Sequence, residues 1–586
     1  QSERFLQKQH LFSDYYRYKQ FILRQDISTQ NMIEAIAATG DNDWESIFTT
    51  YYLNQFILQT AAANGIKDDT QLHFNELQQK DIFLKQVLED KIHHHWQENI
   101  HQLLENADIS ELKYLYNQRK NKQFASKNSL RKIIHHDIDF FTTLFPVLMV
   151  NPSVCTSILP LQKDLFDFII LDEASQLRLE DTFTSLLRGK IKIISGDKHQ
   201  MPPSNFFGSE TIFWEEDETE NETENFLAES KSLLEYADDA NYKNAYLDFH
   251  YRSLHPDLIQ FSNHAFYQSR LIPMPEKEHY PALFYKQTDG LYTQGTNKKE
   301  AAEIVAYVYQ LQKINGAYPS IGIATFNIFQ RDLILDELYH QAYADNEKNE
   351  LLQELLKKGL FVKNLENIQG DERDIMLLST TFGKDENGKF RQLFGPISQE
   401  KGYQLLNVIV TRAKHSLHVF TSIPETVFMN FESELKQKGN RGKGIFYAYL
   451  AFVKSKYEHN ESMSDFILNV LDQNAVSATT QKRNQPSITF KDLIFSELKK
   501  HFGTDIRQDF PFGGFILDIV LFKNNHPFLH IDLEKADNYH SGVAYRSKLH
   551  RQKVLADYGI LTYHLWSYHW WKDADSELKN ISKILQ

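Results

Sequence analysis

The sequence predicts an α/β protein with two parallel-sheet domains, preceded by a helical segment and followed by a smaller α/β unit. Three observations predict it. Short aliphatic runs ("FDFIIL", "IKIIS", "SIGIATF", "DIMLLST", "HSLHVFTS") alternate with helical stretches from about residue 146, as strands covered on both faces of a parallel sheet do. Residues before Pro146 mix polar and apolar side chains at helical spacing, with no Pro and only two Gly. The last hundred residues run from a helix through a hairpin-like pair of strands to the aromatic cluster "HLWSYHWW". At 586 residues the chain is too long for one hydrophobic core, so several domains are expected.

Taken in order, residues 1–145 read as a helical segment and 146–425 as alternating strands and helices. Residues 426–486 read as a helical connector ending in the polar "SATTQKRNQPS", and 487–586 as the C-terminal unit. Within the first segment, Lys113 to Lys132 ("KYLYNQRKNKQFASKNSLRK") holds seven basic residues and no acid, with Tyr114, Tyr116 and Phe124 interleaved. A nucleic-acid surface and a solvated helical face both fit that pattern.

The composition, 41% hydrophobic and 24% charged, is that of a globular protein. A single cysteine, Cys155, excludes an intrachain disulfide and a cysteine zinc cluster, and fits a reducing, cytoplasmic setting. No apolar run is long enough to span a bilayer, and "QSERFLQKQH" has no signal-peptide core, so no membrane partner is expected. The net charge of −14 argues against a nucleic-acid partner only in part, because "EEDETENETE" (Glu215 to Glu224) alone carries seven acids.

The stretch "FDFIILDEASQ" joins an aliphatic strand to Asp172 and Glu173. Such a strand delivers two carboxylates to the carboxyl edge of a parallel sheet, where open α/β sheets bind ligands. The Asp can hold Mg²⁺ and the Glu can orient water, although acids there also simply start helices. About twenty residues on, "IKIISGDKHQMPPSNFF" again ends a strand in a polar loop, with Gly196, Asp197 and Gln200. Here the sequence resembles superfamily 1 helicases of the Upf-like group, and the resemblance continues in family order. "DEASQ" is similar to a Walker B motif and "GDKHQMPPS" to the GDxxQLPP sensor. "HYRSLHPDLIQFSNHAFY" resembles the opening of a second RecA-like domain, and "IGIATFNIFQRDLI" the TPYxxQ strand-loop-helix. "NLENIQGDERDIMLLST" is similar to the QGxExD motif and "LLNVIVTRAKHSLHVF" to the TRAK arginine-finger motif.

The resemblance implies a helical insertion over 1–145 and two RecA-like domains, 146–245 and 246–425, that bind ATP and Mg²⁺ between them and step along a single-stranded or duplex nucleic acid, DNA favoured, in the 5′ to 3′ direction. It implies that Asp172 coordinates Mg²⁺, Glu173 polarises the hydrolytic water, Gln200 senses the γ-phosphate, and Arg252 and Arg412 neutralise charge developing on it. Gly196, Asp197, Gln330, Gln369, Gly370 and Glu372 join the cofactor-binding set, the last three coupling the nucleotide to the nucleic-acid track. A GxxxxGK[ST] loop, whose amides cradle phosphates, does not occur in the sequence. "RGKIK" at Arg188 and "RGKGI" at Arg441 lack the spacing and the Ser or Thr. Family order puts that loop upstream of Gln1, so the first RecA-like domain is expected to be incomplete, and this chain alone is not expected to hydrolyse ATP. The start, without an initiating Met, reads as the cut end of a longer protein; the remaining helicase segment is expected in the same polypeptide or a partner chain.

In the C-terminal unit, strand alternation puts Asp518 on a face with Ile516 and Val520, and Asp532 with His530 and Glu534. A three-residue turn, Asn524 to His526, sets Asp518 opposite Asp532, an arrangement that wants a cation between the two charges. Mg²⁺ or Mn²⁺ held by Asp518, Asp532 and Glu534, with Glu497 as a further carboxylate, would activate a water for phosphodiester cleavage. "FILDIVL", "IDLEKADNYHS", "YRSKLHRQKVLADYGI" and "LWSYHWW" resemble PD-(D/E)xK nucleases, and more narrowly the Vsr-like domains fused to such helicases. The implied fold is restriction-endonuclease-like α/β. Glu534 stands where the acid-x-Lys pattern has its Lys, and Lys535 faces the other way unless a bulge turns it. Arg546, His550 and Lys553, at i, i+4 and i+7, suit backbone phosphates.

His93, His94 and His95 point in different directions on a helix and cannot chelate one ion together. Cys155 reads as a small buried residue, and the terminal tryptophans as core or docking residues. The whole reads as the C-terminal part of an ATP-dependent translocase carrying a nuclease-like domain, an architecture that resembles bacterial defence proteins acting on phage and foreign DNA. The alternative is a catalytically inactive nucleic-acid-binding or assembly subunit.

Overall fold

A computed structural model of the chain describes residues 12–38, 44–63, 70–106, 128–203, 232–275, 280–314, 316–368, 370–399, 401–475, 489–503, 505–533 and 542–585. Most of the basic stretch after Lys113 and the acidic run Glu215 to Glu224 lie outside the described residues. The chain divides into two compact units, Val87–Thr480 and the combination of Gln1–Gln86 with Gln481–Gln586. No helix among the described residues is long and apolar enough to cross a membrane.

In the larger unit, β1 (Phe166–Leu171) pairs in parallel with β2 (Gly189–Ile194), joined by helix Leu179–Leu187. Ile169, Leu171 and Ile194 pack against Ala174, Leu186 and Leu233. The other face is open: Phe168, Ile170, Ile191 and Ile193 are 59%, 67%, 52% and 44% exposed. These four residues sit opposite one another in pairs, so they form one contiguous apolar patch. That departs from the expectation of strands covered on both faces, because no described element lies over them.

After the two-residue strands β3 (Phe249–His250) and β4 (Ile272–Pro273) comes a five-stranded sheet. Its strands are β5 (Leu283–Gln287), β6 (Ile321–Thr325), β7 (Phe361–Asn364), β8 (Arg373–Ser379) and β9 (Ala413–Thr421), all parallel in the order β5-β9-β8-β6-β7. Alternation divides its side chains cleanly. Ile321, Ile323, Ile375 and Leu377 face helices Lys298–Tyr309, Ile328–Ala344 and Asn346–Lys357, while Met376, Leu378, Leu417 and Val419 face helices Asp257–Phe266, Gly402–Val410 and Gly442–Tyr457. Gly322 in β6 is required by packing, since a Cβ there would stand 2.5 Å from Phe361 Cζ and 2.6 Å from Met376 Sδ.

Helix Gly442–Tyr457 lies in the stretch read as a connector, but it is buried almost all round and belongs to the core of this sheet. Its run "GIFYAYLAFV" is apolar on every face, which is the composition of an internal helix. At about 1.5 to 3 kcal/mol for each large apolar side chain buried, it is a main support of the sheet.

In the smaller unit, helices Phe12–Leu23, Ile27–Ala38 and Trp44–Ala63 accompany a four-stranded sheet. Strands β10 (Ile506–Phe512), β11 (Phe515–Lys523) and β12 (His526–Leu533) are antiparallel neighbours, and β13 (Leu561–Leu565) pairs with β12 in parallel through the crossover helix Gly542–Asp557. One face carries Ile519, Leu521, Leu529, Ile531, Leu533 and Leu565, packed by helices Phe490–Phe502 and Ala574–Leu585 and by Trp570. The opposite face carries Asp518, His530 and Asp532.

Candidate active site and candidate metal centre

Asp172 and Glu173 are exposed at the carboxyl end of β1. Glu173 has a φ of 53°, a left-handed conformation that a non-glycine residue rarely adopts and that clusters at functional sites. Its N–H donates to Asp172 Oδ1 at 3.0 Å and its Oε2 accepts from Gln176 Nε2 at 3.2 Å. The loop after β2 lies close alongside, with Ala174 N donating to Ser195 O at 2.8 Å. Gly196 is needed for this approach, because a Cβ would lie 3.0 Å from Ser175 N and 3.1 Å from Ala174 N.

Asp197 organises that loop. Its Oδ1 accepts from His199 N at 2.9 Å, and its Oδ2 accepts from Gln200 Nε2 at 3.2 Å and from the Tyr267 hydroxyl at 2.6 Å. Burial, and then the charge of Asp197, push the Tyr267 hydroxyl well above its ordinary pKa, so it remains a donor. Helix Gly402–Val410 grips the same loop from the second sheet: Gln404 Nε2 donates to Lys198 O and Asn407 Nδ2 to His199 O, both at 2.8 Å.

Arg412 stands immediately before β9. It is 3% exposed, with Nε donating to Val408 O at 3.0 Å and Nη2 to Gln200 Oε1 at 3.4 Å. It has no ion-pair partner within 4.0 Å among the described residues. Burial, and then the neighbouring charge of Arg252, lower its pKa to about 10, which leaves it charged at neutral pH. Arg252 Nε is 3.1 Å from Glu372 Oε2, and Lys414 Nζ is 2.7 Å from Glu372 Oε1. The structure therefore gathers Glu173, Gln200, Arg252, Arg412 and Glu372 into one electrostatic neighbourhood.

Gly370, at a φ of 86°, is exposed at the turn into β8, while Gln369 lies outside the described residues. Gln330 departs from the cofactor-binding expectation. Its side chain is fully buried, with Oε1 accepting from Asn297 N at 2.7 Å and Nε2 donating to Asn297 O at 3.0 Å and Ser379 Oγ at 3.2 Å. Both amide atoms are used in tying helix Ile328–Ala344 to Asn297, the cap of helix Lys298–Tyr309, and to the end of β8, whereas Arg412 stands before the start of β9. Arg188 likewise serves the interior, donating to Leu159 O, Pro160 O and Thr184 O.

The second constellation sits on the polar face of the C-terminal sheet. Pairing of Ile519 with Ile531 and Val520 with His530 continues to place Asp518 opposite Asp532. The route differs from the expected three-residue turn. Asn524 and Asn525, at φ of 54° and 64°, make a two-residue turn, and an irregularity at Leu521/Phe522 shifts the register by one. Ligand atoms of Asp518, His530 and Asp532 all lie within 4.8 Å of one another. Asp518 Oδ2 accepts from Leu533 N at 3.3 Å.

Asp532 is buried beside three basic side chains: Arg551 Nη2 donates to Oδ1 at 2.9 Å, and His564 Nδ1 and Lys548 Nζ lie 3.4 and 3.8 Å from Oδ2. Burial pushes its carboxyl up, but His564 and the charges of Arg551, His530 and Lys548 outweigh that and hold it well below the usual carboxylate range. Glu534 and Lys535 lie outside the described residues. Glu497 is not brought to the cluster. It pairs with Lys500 at 2.6 Å on a helix that packs against the apolar face of the sheet. Arg546, His550 and Lys553 are exposed along helix Gly542–Asp557, and His93, His94 and His95 are exposed on helix Thr70–Asn106.

Sequence reasoning missed Tyr267, Asn407, Lys548 and Arg551, and set His530 on the face of Asp532 without making it a member of the site. Alternation put His530 beside Asp532, and the closeness of its ring nitrogen to both carboxylates adds it to the cluster. Nothing local distinguishes Lys548 and Arg551 from their exposed basic neighbours, because helix phase and docking decide which ones turn inward.

A family described as an AAA domain matches residues 229–423. An uncharacterized ATP-dependent helicase of Mycoplasma genitalium, MG140, is 30% identical over 401 residues, covering 66% of this chain and 34% of the relative. Its Mycoplasma pneumoniae homolog is 27% identical over 494 residues, covering 80% of this chain and 42% of the relative. The chain thus spans well under half the length of the curated relatives it matches. With the mixed α/β frame and its parallel sheets, these matches support a superfamily 1 helicase-like protein on a RecA-like fold.

Proposed function

We propose that the chain is the Walker B half and second motor domain of an ATP-dependent nucleic-acid translocase, joined to a metal-dependent nuclease-like domain. The observation that carries the motor reading is Arg412, a buried cation without a carboxylate partner among the described residues, aimed at the sensor glutamine. A guanidinium kept so is a ready partner for a phosphate anion. The exposed carboxylates Asp172 and Glu173 fit Mg²⁺ and a water beside it, and Gly196 allows the close backbone approach that such a site needs.

In this reading Mg²⁺ held by Asp172 supplies charge neutralisation for phosphoryl transfer, a reaction governed by positioning and electrostatics. Glu173 orients the attacking water. Gln200 reports the γ-phosphate to the loop fixed by Asp197 and Tyr267. Arg252 and Arg412 stabilise the charge that develops, with Glu372 holding Arg252 and Lys414 in place until a phosphate competes for them. The phosphate cradle comes from a segment outside these 586 residues, and the open apolar face of β1 and β2 is the surface such a segment would cover. The partner is a nucleic-acid strand, DNA favoured.

Asp518 and Asp532, with Glu534, make the nuclease-like centre that Mg²⁺ or Mn²⁺ would use to activate water against a phosphodiester. A motor that feeds a strand to such a centre suits DNA processing and defence against phage. The test is ATP turnover with single-stranded DNA. The 586-residue chain alone gives none, and addition of the phosphate-binding segment restores it. Turnover by the chain alone, free of contaminating enzyme, refutes the assignment.

A further inference from the structure

We infer that the polar face of the C-terminal sheet binds a divalent transition-metal ion of the Mn²⁺ class, with His530 as a nitrogen ligand beside Asp518 and Asp532. The inference rests on the nuclease reading for the ion's purpose, and sharpens which ion it is. His530 is 1% exposed, and neither ring nitrogen has a hydrogen-bond partner among the described residues. A buried imidazole left so is disfavoured unless something occupies its lone pair. Its ligand atom is within 4.8 Å of both carboxylates, so the unpartnered ring is aimed into the cluster.

The three groups stand on adjacent strands whose pairing is fixed by Val520, Ile519 and Ile531. Two carboxylates with one imidazole suit Mn²⁺, Fe²⁺ or Zn²⁺, whereas Mg²⁺ prefers oxygen and water throughout. Charge adds a condition. The two carboxylates are already offset by Arg551 and Lys548, so a divalent ion brings excess positive charge that a phosphodiester anion would offset. Metal and phosphate therefore bind cooperatively at this face.

Electron paramagnetic resonance of Mn²⁺ added to the 586-residue chain, with spin-echo modulation from directly bound nitrogen, tests this without any substitution. The expected result is a bound Mn²⁺ coupled to nitrogen, at least tenfold tighter than Mg²⁺ and tighter again with a single-stranded oligonucleotide present. His530→Gln removes the nitrogen signal, and His530→Gln and Asp518→Asn each weaken Mn²⁺ tenfold or more. Asp518→Asn, at a half-buried position, serves as the second variant should His530→Gln fail to fold. Absence of bound nitrogen, or unchanged affinity in these variants, overturns the inference. Mn²⁺ binding as expected without cleavage of the oligonucleotide leaves it standing and removes the nuclease reading; Mg²⁺-supported cleavage without bound nitrogen does the reverse.

Discussion

Glu300→Gln is expected to change how the second sheet domain responds to pH. Glu300 is fully buried at the start of helix Lys298–Tyr309, accepting from Ser379 Oγ at 2.7 Å, Thr381 N at 2.8 Å and Asn297 Nδ2 at 3.2 Å, with no basic partner among the described residues. Burial raises its pKa from 4.5 to about 7, against smaller lowering by its hydrogen bonds. The folded chain therefore binds this proton more tightly than the unfolded chain, and stability falls as pH rises from about 4.5 to about 7. At 1.36 kcal/mol per pKa unit, the loss across that window is about 3 kcal/mol. A glutamine introduces its own mismatch with Asn297, but that penalty does not vary with pH. The difference in stability between parent and variant should thus move by about 3 kcal/mol between pH 4.5 and 8, in favour of the variant at high pH. For a domain of this size that is roughly 6 to 12 °C in melting temperature. Differential scanning calorimetry at pH 5, 6, 7 and 8 reads it directly. Parallel pH profiles for the two proteins would refute the assignment of a titrating buried carboxyl.

Tyr267→Phe removes the 2.6 Å bond to Asp197 and the acceptor for Asn407; chemical denaturation should record a loss of about 1 kcal/mol, and ATP turnover of the protein that includes the phosphate-binding segment should fall with it. Asp532→Asn and Asp518→Asn should separate on thermal melting. The first leaves Arg551 and Lys548 facing a neutral amide and costs about 3 to 5 kcal/mol, whereas the second costs about 1 kcal/mol or less while weakening metal binding. Gly322→Ala forces a methyl against Phe361 and Met376, and should destabilise the second sheet domain by about 1 to 3 kcal/mol in the same assay.

Much of the parallel-sheet frame was legible because its strands are aliphatic runs that end in polar loops, and periodicity of two or of 3.6 survives without tertiary information. Asp172, Glu173, Gln200 and Arg412 lie at or just beyond strand or helix ends, positions that the alternation of strands and helices already marks. Gln330 was misplaced because its polar amide suggests a ligand, whereas buried backbone of Asn297 uses both of its atoms. Helix Gly442–Tyr457 was read as a connector because its place after the last strand of the sheet weighed more than its composition. At the C-terminal hairpin the facing aspartates were right for a different reason, a two-residue turn and a register shift offsetting each other. Lys548 and Arg551 were out of reach, since their inward direction depends on how the crossover helix docks.

ATP turnover stimulated by single-stranded DNA, in a protein that includes the phosphate-binding segment, is the most direct test of the central claim. Comparison of the parent with Arg412→Gln should reveal about a thousandfold loss of kcat with nucleotide binding largely kept, because the proposed role of this buried cation is to meet charge developing on the γ-phosphate. Unchanged turnover in Arg412→Gln would contradict the account.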